Sequence, residues 1–440
     1  MSDPAANHEI PGVEPGLAAA IAAADDERRD VRDALRPMRA ELPLRYWRQQ
    51  AHLTTPASDA VMARKAVEGG TSGMPRMLER LGLRASDLAE RLELPDELIE
   101  ARLARPARAP LVMLDGEDAI ALRDDVAARG LAVAADILVE ADWGGPAGSL
   151  RFFRPPGLNL ESTVRDLYTL LWQLRARTRG SELPLDGIVF PKVEHPEEVD
   201  LVNRLLDRAE ADLELPPGQI RVAYLIESGW AASQLPEIAR AAAPRLAGLI
   251  FGIADFSADL GLPAIATGHP LAEWARAEIV AVAGAVGVPA VDAMTLDYPV
   301  ADPALDAAAN RARWLDRMRL VYDDAVMARE LGMLGKWVGH PAQLFAVLLA
   351  YEAGLADEVL DQEAAKLEAY ETALRADQGA TMIGGVMSDR ATDRHARVVL
   401  RQATALGRFD PARAISLGVI DETERPEAEQ AFAAARPQAG

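Results

Sequence analysis

The sequence of 440 residues contains no cysteine. Disulfide bonds, thiolate-bound zinc and a cysteine nucleophile are therefore excluded. Histidine is also scarce, with six residues. A metal site in this protein would have to be built mainly from oxygen ligands, which favours a hard cation such as Mg²⁺.

Basic residues are fewer than acidic ones. The chain carries 47 lysines and arginines against 68 aspartates and glutamates, a formal net charge of -21. Such a surface repels phosphate backbones and anionic lipids, so nucleic acid and membranes are not expected partners. A small anionic substrate would need a local positive site.

Long apolar runs are missing as well. No segment reaches the about 20 apolar residues that a membrane span requires, and the N-terminus, MSDPAANHEIPG, has no basic stretch followed by an apolar one. These features predict a cytoplasmic protein. Half of the residues are nevertheless hydrophobic, which is enough to bury a globular core.

Short apolar runs recur along the middle of the chain, and each is followed by a longer stretch with helical periodicity. This alternation is typical of βα units and a parallel sheet. Eight such runs predict an α/β protein with a (β/α)8 TIM barrel. In order they are YWRQQAHLTTP, APLVMLDGED, SLRFFRP, GIVFPKVE, RVAYLIES, LAGLIFGIAD, AVDAMTLD and GKWVGHP.

The remaining segments predict appendages to this barrel. We expect an N-terminal helical arm over residues 1–42, the barrel over 43–353, a helical region over 354–424 and a flexible tail over 425–440. About forty residues separate the first helix from the second strand, which predicts a helical insertion at about 74–109.

Ionisable residues stand at the C-terminal end of nearly every run. In a barrel, these ends form the face that carries active sites. Any one of them could be a solvated loop residue or a helix cap, but together they predict an acidic site. They are Asp115, Glu117 and Asp118 after the second run, Arg154 after the third, Lys192 and Glu194 after the fourth, Glu227, Asp255 and Asp297 after the next three, and Lys336 and His340 in the eighth.

So many carboxylates at one end of the barrel repel each other unless a cation is present. Mg²⁺ takes one or two protein carboxylates and fills its other positions with water and substrate oxygens. Arg154 and Lys192 supply the positive charge that an anionic substrate needs, and arginine can grip a carboxylate with two hydrogen bonds. The site therefore predicts Mg²⁺ and a carboxylate-bearing substrate.

From about residue 49 to about 403 the chain resembles the HpcH/HpaI aldolase and citrate lyase beta-subunit family, which includes malyl-CoA and citramalyl-CoA lyases. Six motifs occur in the family's order. They are LDGEDAIAL, similar to LDLEDAV; RFFRPPG, similar to VRINP; FPKVE; LIESGWA, similar to the IET segment; FGIADFSADLG, similar to GxxDxxxDLG; and LGMLGKWVGHPAQ, similar to GFxGKxxIHPxQ.

The resemblance implies a role for particular residues. Glu227 and Asp255 match the family's Mg²⁺ ligands, and Arg154 matches the arginine that contacts the substrate carboxylate. The acidic triplet that includes Glu117 and Asp118 would order the catalytic site through hydrogen bonds.

The segment GGVMSDRATDRHA matches the family segment whose aspartate acts in a neighbouring subunit, which points to Asp389 as catalytic acid or base in a homo-oligomer, a trimer or a hexamer. An N-cap on the helix that follows is an equally good interpretation of Asp389. Lys192 can contact substrate or pair with the acidic triplet, and a Schiff-base role for it is disfavoured. For Lys336 and His340 we expect packing around Trp337 rather than catalysis.

The predicted function is a Mg²⁺-dependent carbon–carbon lyase that cleaves or forms malyl-, citramalyl- or citryl-CoA, with a 2-oxo acid and an acyl thioester as the other partners. A thioester hydrolase, an aldolase acting on a non-thioester 2-oxo acid, and a non-catalytic partner subunit stay open. The chain departs from the family at Gln50, where an arginine is usual, at Gly116, where leucine is usual, and in the insertion. Gln50 leaves the choice between coenzyme A and a carrier protein open.

Overall fold

The computed structural model describes residues 15–34, 40, 42–119, 123–178, 180, 182–377, 379–383 and 386–435. The chain divides into two compact units, Met1–Arg39 and Ala40–Gly440. In the first, helix α1 spans Pro15–Ala34 and carries exposed ion pairs between residues three or four apart, such as Arg28 with Asp25. None of the described helices combines the length and apolar character needed to cross a bilayer.

The second unit is built on eight parallel strands that close into a barrel in sequence order, because β1 pairs with both β2 and β8. The predicted TIM barrel is confirmed. Its strands are β1 (Ala51–Pro56), β2 (Leu111–Asp115), β3 (Leu150–Arg154), β4 (Gly187–Phe190), β5 (Arg221–Ile226), β6 (Leu246–Phe251), β7 (Ala290–Asp292) and β8 (Gly335–Val338).

Helices cover the outside of the barrel, and further helices follow the last barrel strand along the chain. They are α2 (Ala60–Gly69), α3 (Met74–Leu81), α4 (Ala85–Leu92), α5 (Asp96–Ala104), α6 (Asp124–Glu140), α7 (Thr163–Arg177), α8 (Pro196–Asp212), α9 (Gly229–Ser233), α10 (Leu235–Ala242), α11 (Ile253–Asp259), α12 (Pro270–Val286), α13 (Ala307–Leu331), α14 (Pro341–Ala353), α15 (Asp357–Arg375), α16 (Arg390–Ala405), α17 (Pro411–Ser416) and α18 (Arg425–Ala435).

The strands read as almost continuous apolar runs because both of their faces are covered. In β3, for example, Phe152 and Phe153 point to opposite sides of the sheet and both are fully buried. The first run differs from the expectation, since Leu44–Arg48 forms a short 3₁₀ helix and the strand begins only at Ala51.

The insertion between the first helix and the second strand forms three short helices, α3 to α5. Each buries apolar side chains, including Leu78, Leu88 and Ile99. The ion pair between Arg102 and Glu352 ties α5 to α14 at 2.9 Å. The insertion therefore packs on the outer helices of the barrel.

The C-terminal region is not purely helical, since strands β9 (Thr381–Ile383) and β10 (Val386–Ser388) form an antiparallel pair. Residues 425–435, expected in a flexible tail, form α18, because Ala428 and Ala431 give it a buried face. Helix α16 packs on the N-terminal side of the strands, where Gln402 donates to the carbonyl of Leu334, just before β8.

Candidate active site

The C-terminal ends of the strands surround an open cavity of about 300 Å³. Part of its lining is charged and forms what we call the charged wall; the rest, the apolar wall, is mainly apolar and includes Trp337 and Tyr298. The charged residues that line the cavity are Asp115, Asp118, Arg154, Glu227 and Asp255. Five of the ionisable residues that the sequence placed at strand ends thus lie around one cavity.

The charged wall contains a buried ion pair between Arg154 and Asp115. Nε and Nη2 of Arg154 donate to the two carboxylate oxygens of Asp115 at 2.7 and 2.5 Å, and both side chains are almost fully buried. The third nitrogen, Nη1, lies 3.3 Å from Glu117 and 3.4 Å from Asp118. Charge-assisted hydrogen bonds are usually about 2.7–2.9 Å long, so Nη1 is the loosely held atom.

Lys192 lies beside the charged wall and contacts several of its acidic side chains. Its ammonium lies 3.2 Å from Glu117, 3.5 Å from Asp118 and 3.8 Å from Asp255. Although burial opposes it, the negative charge of these groups raises the pKa of Lys192 above its ordinary value. The ion-pair interpretation of Lys192 is therefore the one that the geometry favours, and a neutral lysine suited to Schiff-base chemistry is not.

The backbone of Lys192 is unusual too. Its φ of 54° lies in the left-handed region, which costs a side-chain-bearing residue about 1 kcal/mol or more. In this conformation the Lys192 N–H donates to Oε1 of Glu227 at 2.7 Å.

Glu227 and Asp255 follow adjacent strands. Glu227 comes directly after β5 and is almost fully buried, whereas Asp255 lies in the first turn of α11 and is about half exposed. Gly252 allows the two segments to approach, because a Cβ there would lie 2.8 Å from Oε2 of Glu227. Both residues line the cavity.

The Glu227 carboxylate fits a divalent cation. Burial, and then the nearby charge of Asp255, raises its pKa to about 8. Within the described ranges no lysine, arginine or histidine nitrogen pairs with it, and its resolved partner is the Lys192 N–H. A cation between Glu227 and Asp255 would compensate both carboxylates, which is the donor set that Mg²⁺ accepts.

The described residues do not form a closed metal cage. Among the residues that the structure describes, no group of three or more histidines, aspartates and glutamates is arranged to hold a metal ion. A Mg²⁺ ion held by two carboxylates keeps positions for water and substrate oxygens. The arrangement therefore suits a catalytic ion better than a structural one.

Glu117 is a second carboxylate with a displaced pKa. Burial raises it, Arg154 opposes the rise and Asp118 adds to it, with a result of about 7. Its Oε2 atom has no hydrogen-bond partner among the described residues. The side chain nevertheless stays in place because Arg154 and Lys192 lie on either side of it.

The structure gives a position to the two single-residue departures from the family pattern, Gln50 and Gly116. Gln50 is buried just before β1, at the end of the barrel opposite the cavity. Gly116 lies against Phe153, whose ring would be 2.7 Å from a Cβ at this position. The missing side chain at 116 therefore has a packing reason.

Asp389 is not among the residues that line the cavity. It precedes α16, and its Oδ1 accepts a hydrogen bond from the N–H of Thr392 at 3.1 Å, while the Thr392 hydroxyl accepts from the Asp389 N–H. This is a reciprocal helix cap. Within one chain the capping interpretation describes Asp389.

Three other ionisable residues from the strand ends have structural roles. Lys336 is fully buried between Asp292 and Asp324, with its ammonium 2.6 and 2.8 Å from their oxygens. His340 caps α14 by accepting from the N–H of Ala342. Asp297 lies beyond the end of β7 and pairs with Arg317. These contacts are structural, as expected for Lys336 and His340, but they are an ion-pair pocket and a helix cap rather than the expected packing around Trp337.

Sequence reasoning missed the apolar wall of the cavity. Trp337 places its ring 5.4 Å from the Arg154 guanidinium and donates from Nε1 to the hydroxyl of Thr54. Met294 and Tyr298 come from the loop after β7. The inward face of β1 and β8 could have indicated Thr54 and Trp337, but a loop has no periodicity that would indicate Tyr298.

A closed parallel barrel with paired carboxylates, a buried arginine and a lysine at its catalytic face is an enzyme architecture of the TIM-barrel class. Residues 101–314 match the family model described as HpcH/HpaI aldolase/citrate lyase. The chain belongs to the HpcH/HpaI aldolase/citrate lyase family, and the predicted enzyme class, a lyase, is confirmed.

Three similar proteins illustrate this assignment. L-malyl-CoA/beta-methylmalyl-CoA lyase of Rhodobacter capsulatus is 31% identical over 312 residues, which cover 67% of this chain and 87% of that protein. The enzyme of the same name from Cereibacter sphaeroides (strain ATCC 17025 / ATH 2.4.3) is 32% identical over 313 residues, with the same coverage. A citrate lyase structure from Burkholderia xenovorans LB400 shares the fold, with a TM-score of 0.57, 23% identity, and coverage of 84% of this chain and 96% of that one.

Proposed function

We propose that this protein is a Mg²⁺-dependent lyase that cleaves, or in reverse forms, the carbon–carbon bond of a 3-hydroxyacyl-CoA thioester such as malyl-CoA. The products of cleavage are a 2-oxo acid and an acyl-CoA. The observation that carries the proposal is the meeting of Glu227, Asp255 and Arg154 around one cavity. The relatives named L-malyl-CoA/beta-methylmalyl-CoA lyase support the substrate class.

Glu227 and Asp255 are the proposed Mg²⁺ ligands. When bound there, the ion supplies a Lewis acid for an oxygen of the 2-oxo acid. The half-exposed position of Asp255 leaves the cavity side open to substrate. The buried position of Glu227 gives that carboxylate a fixed orientation, because the Lys192 N–H and Gly252 hold it.

Arg154 is the proposed anchor for the substrate carboxylate. Two of its nitrogens are fixed by Asp115, so the guanidinium plane is set before substrate arrives. Its Nη1, at 3.3 Å from Glu117, can exchange that long contact for a shorter bond to a substrate carboxylate. Glu117 and Asp118 would keep Arg154 and Lys192 oriented, and Lys192 adds positive charge at the same wall.

Asp389 is the proposed acid that protonates the acyl-CoA enolate in cleavage, and the base in condensation. Since it caps its own helix outside the cavity, this role requires that a neighbouring copy supplies it. The proposal therefore includes a homo-oligomer, a trimer or a hexamer.

The test measures 2-oxo acid released from malyl-, citramalyl- and citryl-CoA, trapped as the phenylhydrazone, with chelator-treated protein before and after Mg²⁺ is restored. Release that requires Mg²⁺ and falls at least about 100-fold in Glu227→Gln and Asp255→Asn supports the lyase. Glu100→Gln and Asp200→Asn are matched controls, because both residues are exposed on outer helices.

A contrary outcome is equally clear. Release of free thiol without a 2-oxo acid would identify a thioester hydrolase. If calorimetry shows that Mg²⁺ binds but none of the thioesters reacts, the protein is not a lyase of this substrate class.

A further inference from the structure

Tyr298 is a hydroxyl group at the active-site cavity to which none of the roles above is assigned. It lies in the loop between β7 and α13, and it lines the same cavity as Glu227, Asp255 and Arg154. Its ring is partly buried, with the edge of His340 at 6.5 Å between centroids.

The hydroxyl group of Tyr298 has a weak partner. It donates to the thioether sulfur of Met294 at 2.8 Å, and a thioether is a poor acceptor. Gly339 makes room for it, since a Cβ there would lie 2.1 Å from the phenol oxygen. Burial raises the pKa of Tyr298 above its ordinary value, so the group keeps its proton and remains a donor at neutral pH.

The loop that carries Tyr298 is held at three backbone carbonyls. Buried Lys336 donates to the carbonyl of Ala293 at 2.7 Å, and buried Gln343 donates to that of Thr295 at 2.7 Å. Arg317 donates to the carbonyl of Tyr298 itself at 2.6 Å. The position of the phenol is therefore fixed by the protein before substrate binds, which is the condition for electrostatic stabilisation of a reacting group.

The charged donors at or beside the cavity are committed to carboxylates. Arg154 uses two nitrogens for Asp115, and the Lys192 ammonium lies among three acidic side chains. Carbon–carbon cleavage moves negative charge onto the thioester oxygen, away from the 2-oxo acid. Among the cavity residues named so far, Tyr298 is a neutral donor whose hydrogen bond can be redirected to that oxygen at little cost.

We propose that Tyr298 donates its hydroxyl proton in a hydrogen bond to the thioester carbonyl oxygen and stabilises the enolate that carbon–carbon cleavage leaves. The inference rests on the proposed lyase function and adds a catalytic residue to it. The electron pair of the broken bond passes to the acyl α-carbon and is shared with the thioester oxygen. The proton of the substrate hydroxyl passes to a carboxylate of the charged wall. The enolate carbon takes its proton from the proposed acid, Asp389 of a neighbouring copy, and Tyr298 keeps its own proton.

The experiment compares Tyr298→Phe with wild type in two assays. The first is 2-oxo acid release from the thioester that wild type cleaves. The second is exchange of the acyl-CoA α-protons with D2O in the presence of Mg²⁺ and oxalate, followed by mass spectrometry. Loss of an oxyanion donor typically lowers kcat about 100-fold or more. We expect that loss in Tyr298→Phe, an equal loss of proton exchange, and a KM for the thioester within about twofold of wild type.

Two controls separate this role from packing. Tyr322→Phe removes a phenol from α13, outside the cavity, and should leave both assays unchanged. Met294→Leu removes the sulfur acceptor but keeps the donor, so its loss of kcat should be smaller than that of Tyr298→Phe. Calorimetric Mg²⁺ binding and circular dichroism are expected to be the same in all four proteins.

Three outcomes would overturn the inference. A kcat of Tyr298→Phe within about threefold of wild type would do so while the lyase function stands. A raised KM with an unchanged kcat would make Tyr298 a substrate-binding residue with no part in stabilising the enolate. If wild type releases no 2-oxo acid, the lyase proposal fails and the role of Tyr298 fails with it.

Discussion

Lys192 contacts Glu227 through its backbone and not through its charge: the Lys192 N–H donates to Oε1 of Glu227 at 2.7 Å, while the ammonium points to Glu117, Asp118 and Asp255. The left-handed φ of 54° at Lys192 makes both contacts compatible. One residue thus orients one proposed Mg²⁺ ligand and partly neutralises the other.

Replacing the lysine should therefore separate metal binding from substrate binding. In Lys192→Met the backbone bond to Glu227 is retained, but the cation 3.8 Å from Asp255 is lost. We expect Mg²⁺ to bind about tenfold more tightly and the KM for the anionic thioester to rise about tenfold. Calorimetry measures the Mg²⁺ affinity and steady-state kinetics measure the KM. Lys65→Met, at an exposed position on α2, is the control. A Mg²⁺ affinity that is unchanged or weaker in Lys192→Met would contradict this account.

Gly252 should tolerate no side chain. In Gly252→Ala the new Cβ would lie 2.6 Å from the Glu227 Cβ and 2.8 Å from its Oε2, so the carboxylate has to move. We expect Mg²⁺-dependent turnover to fall at least about 100-fold, because displacing a catalytic group by about 1 Å has this effect. Gly284→Ala on α12 is the matched control, since nothing lies within 4 Å of a Cβ there; equal activity in both variants would argue against the metal role of Glu227.

Asp389 offers a test that separates capping from catalysis. Asparagine caps a helix as well as aspartate does, but it cannot transfer a proton. We expect Asp389→Asn to keep the melting temperature of wild type and to lose kcat by at least about 100-fold, whereas Asp389→Ala should lose both. Thermal unfolding and turnover are measured on the same preparations. Wild-type turnover in Asp389→Asn would show that Asp389 only caps the helix and takes no part in catalysis.

His52 should make the protein sensitive to acid. It is fully buried in β1, neither ring nitrogen has a hydrogen-bond partner among the described residues, and burial lowers its pKa to about 3. Below its ordinary pKa of about 6.5, the unfolded chain binds a proton at His52 that the folded chain does not, so stability falls by about 1.4 kcal/mol per pH unit as the pH drops toward 3.

The variant His52→Leu removes this titration, and its free energy of unfolding should depend less on pH between about 5 and about 7.5. Denaturant unfolding across that range provides the measurement. His395→Gln, which changes an exposed histidine on α16, should keep the wild-type slope. An unaltered slope in His52→Leu would show that His52 is not the group responsible.

The barrel and the charged ends of its strands could be predicted because each depends on local pattern. Apolar runs followed by helical stretches indicate βα units, and parallel strands bring their C-terminal ends to one face. This pattern is sufficient to predict that Arg154, Glu227 and Asp255 lie together at one face of the barrel. The acidic composition then indicated a cation.

Other features depend on contacts that no local pattern encodes. The sequence could not indicate that Lys192 adopts a left-handed conformation, or that Asp115 takes two of the three Arg154 nitrogens. Tyr298 lies in an irregular loop, where position is set by the carbonyl contacts of Lys336, Gln343 and Arg317. Helix α18 depends on a buried face of two alanines, which is too weak a signal for a terminal segment.

Trp337 lies on the apolar wall with its ring 5.4 Å from the Arg154 guanidinium and its indole N–H on Thr54. Of the seven tryptophans in the chain, it is the one that lines the cavity in the described part of the protein. A ligand that draws Arg154 away, or that fills the space beside the indole, changes the polarity around this chromophore. The difference in fluorescence between the protein and its Trp337→Phe variant would therefore report binding at this cavity, and the proposed arrival of metal, oxo acid and thioester could be timed in a stopped-flow instrument without any label.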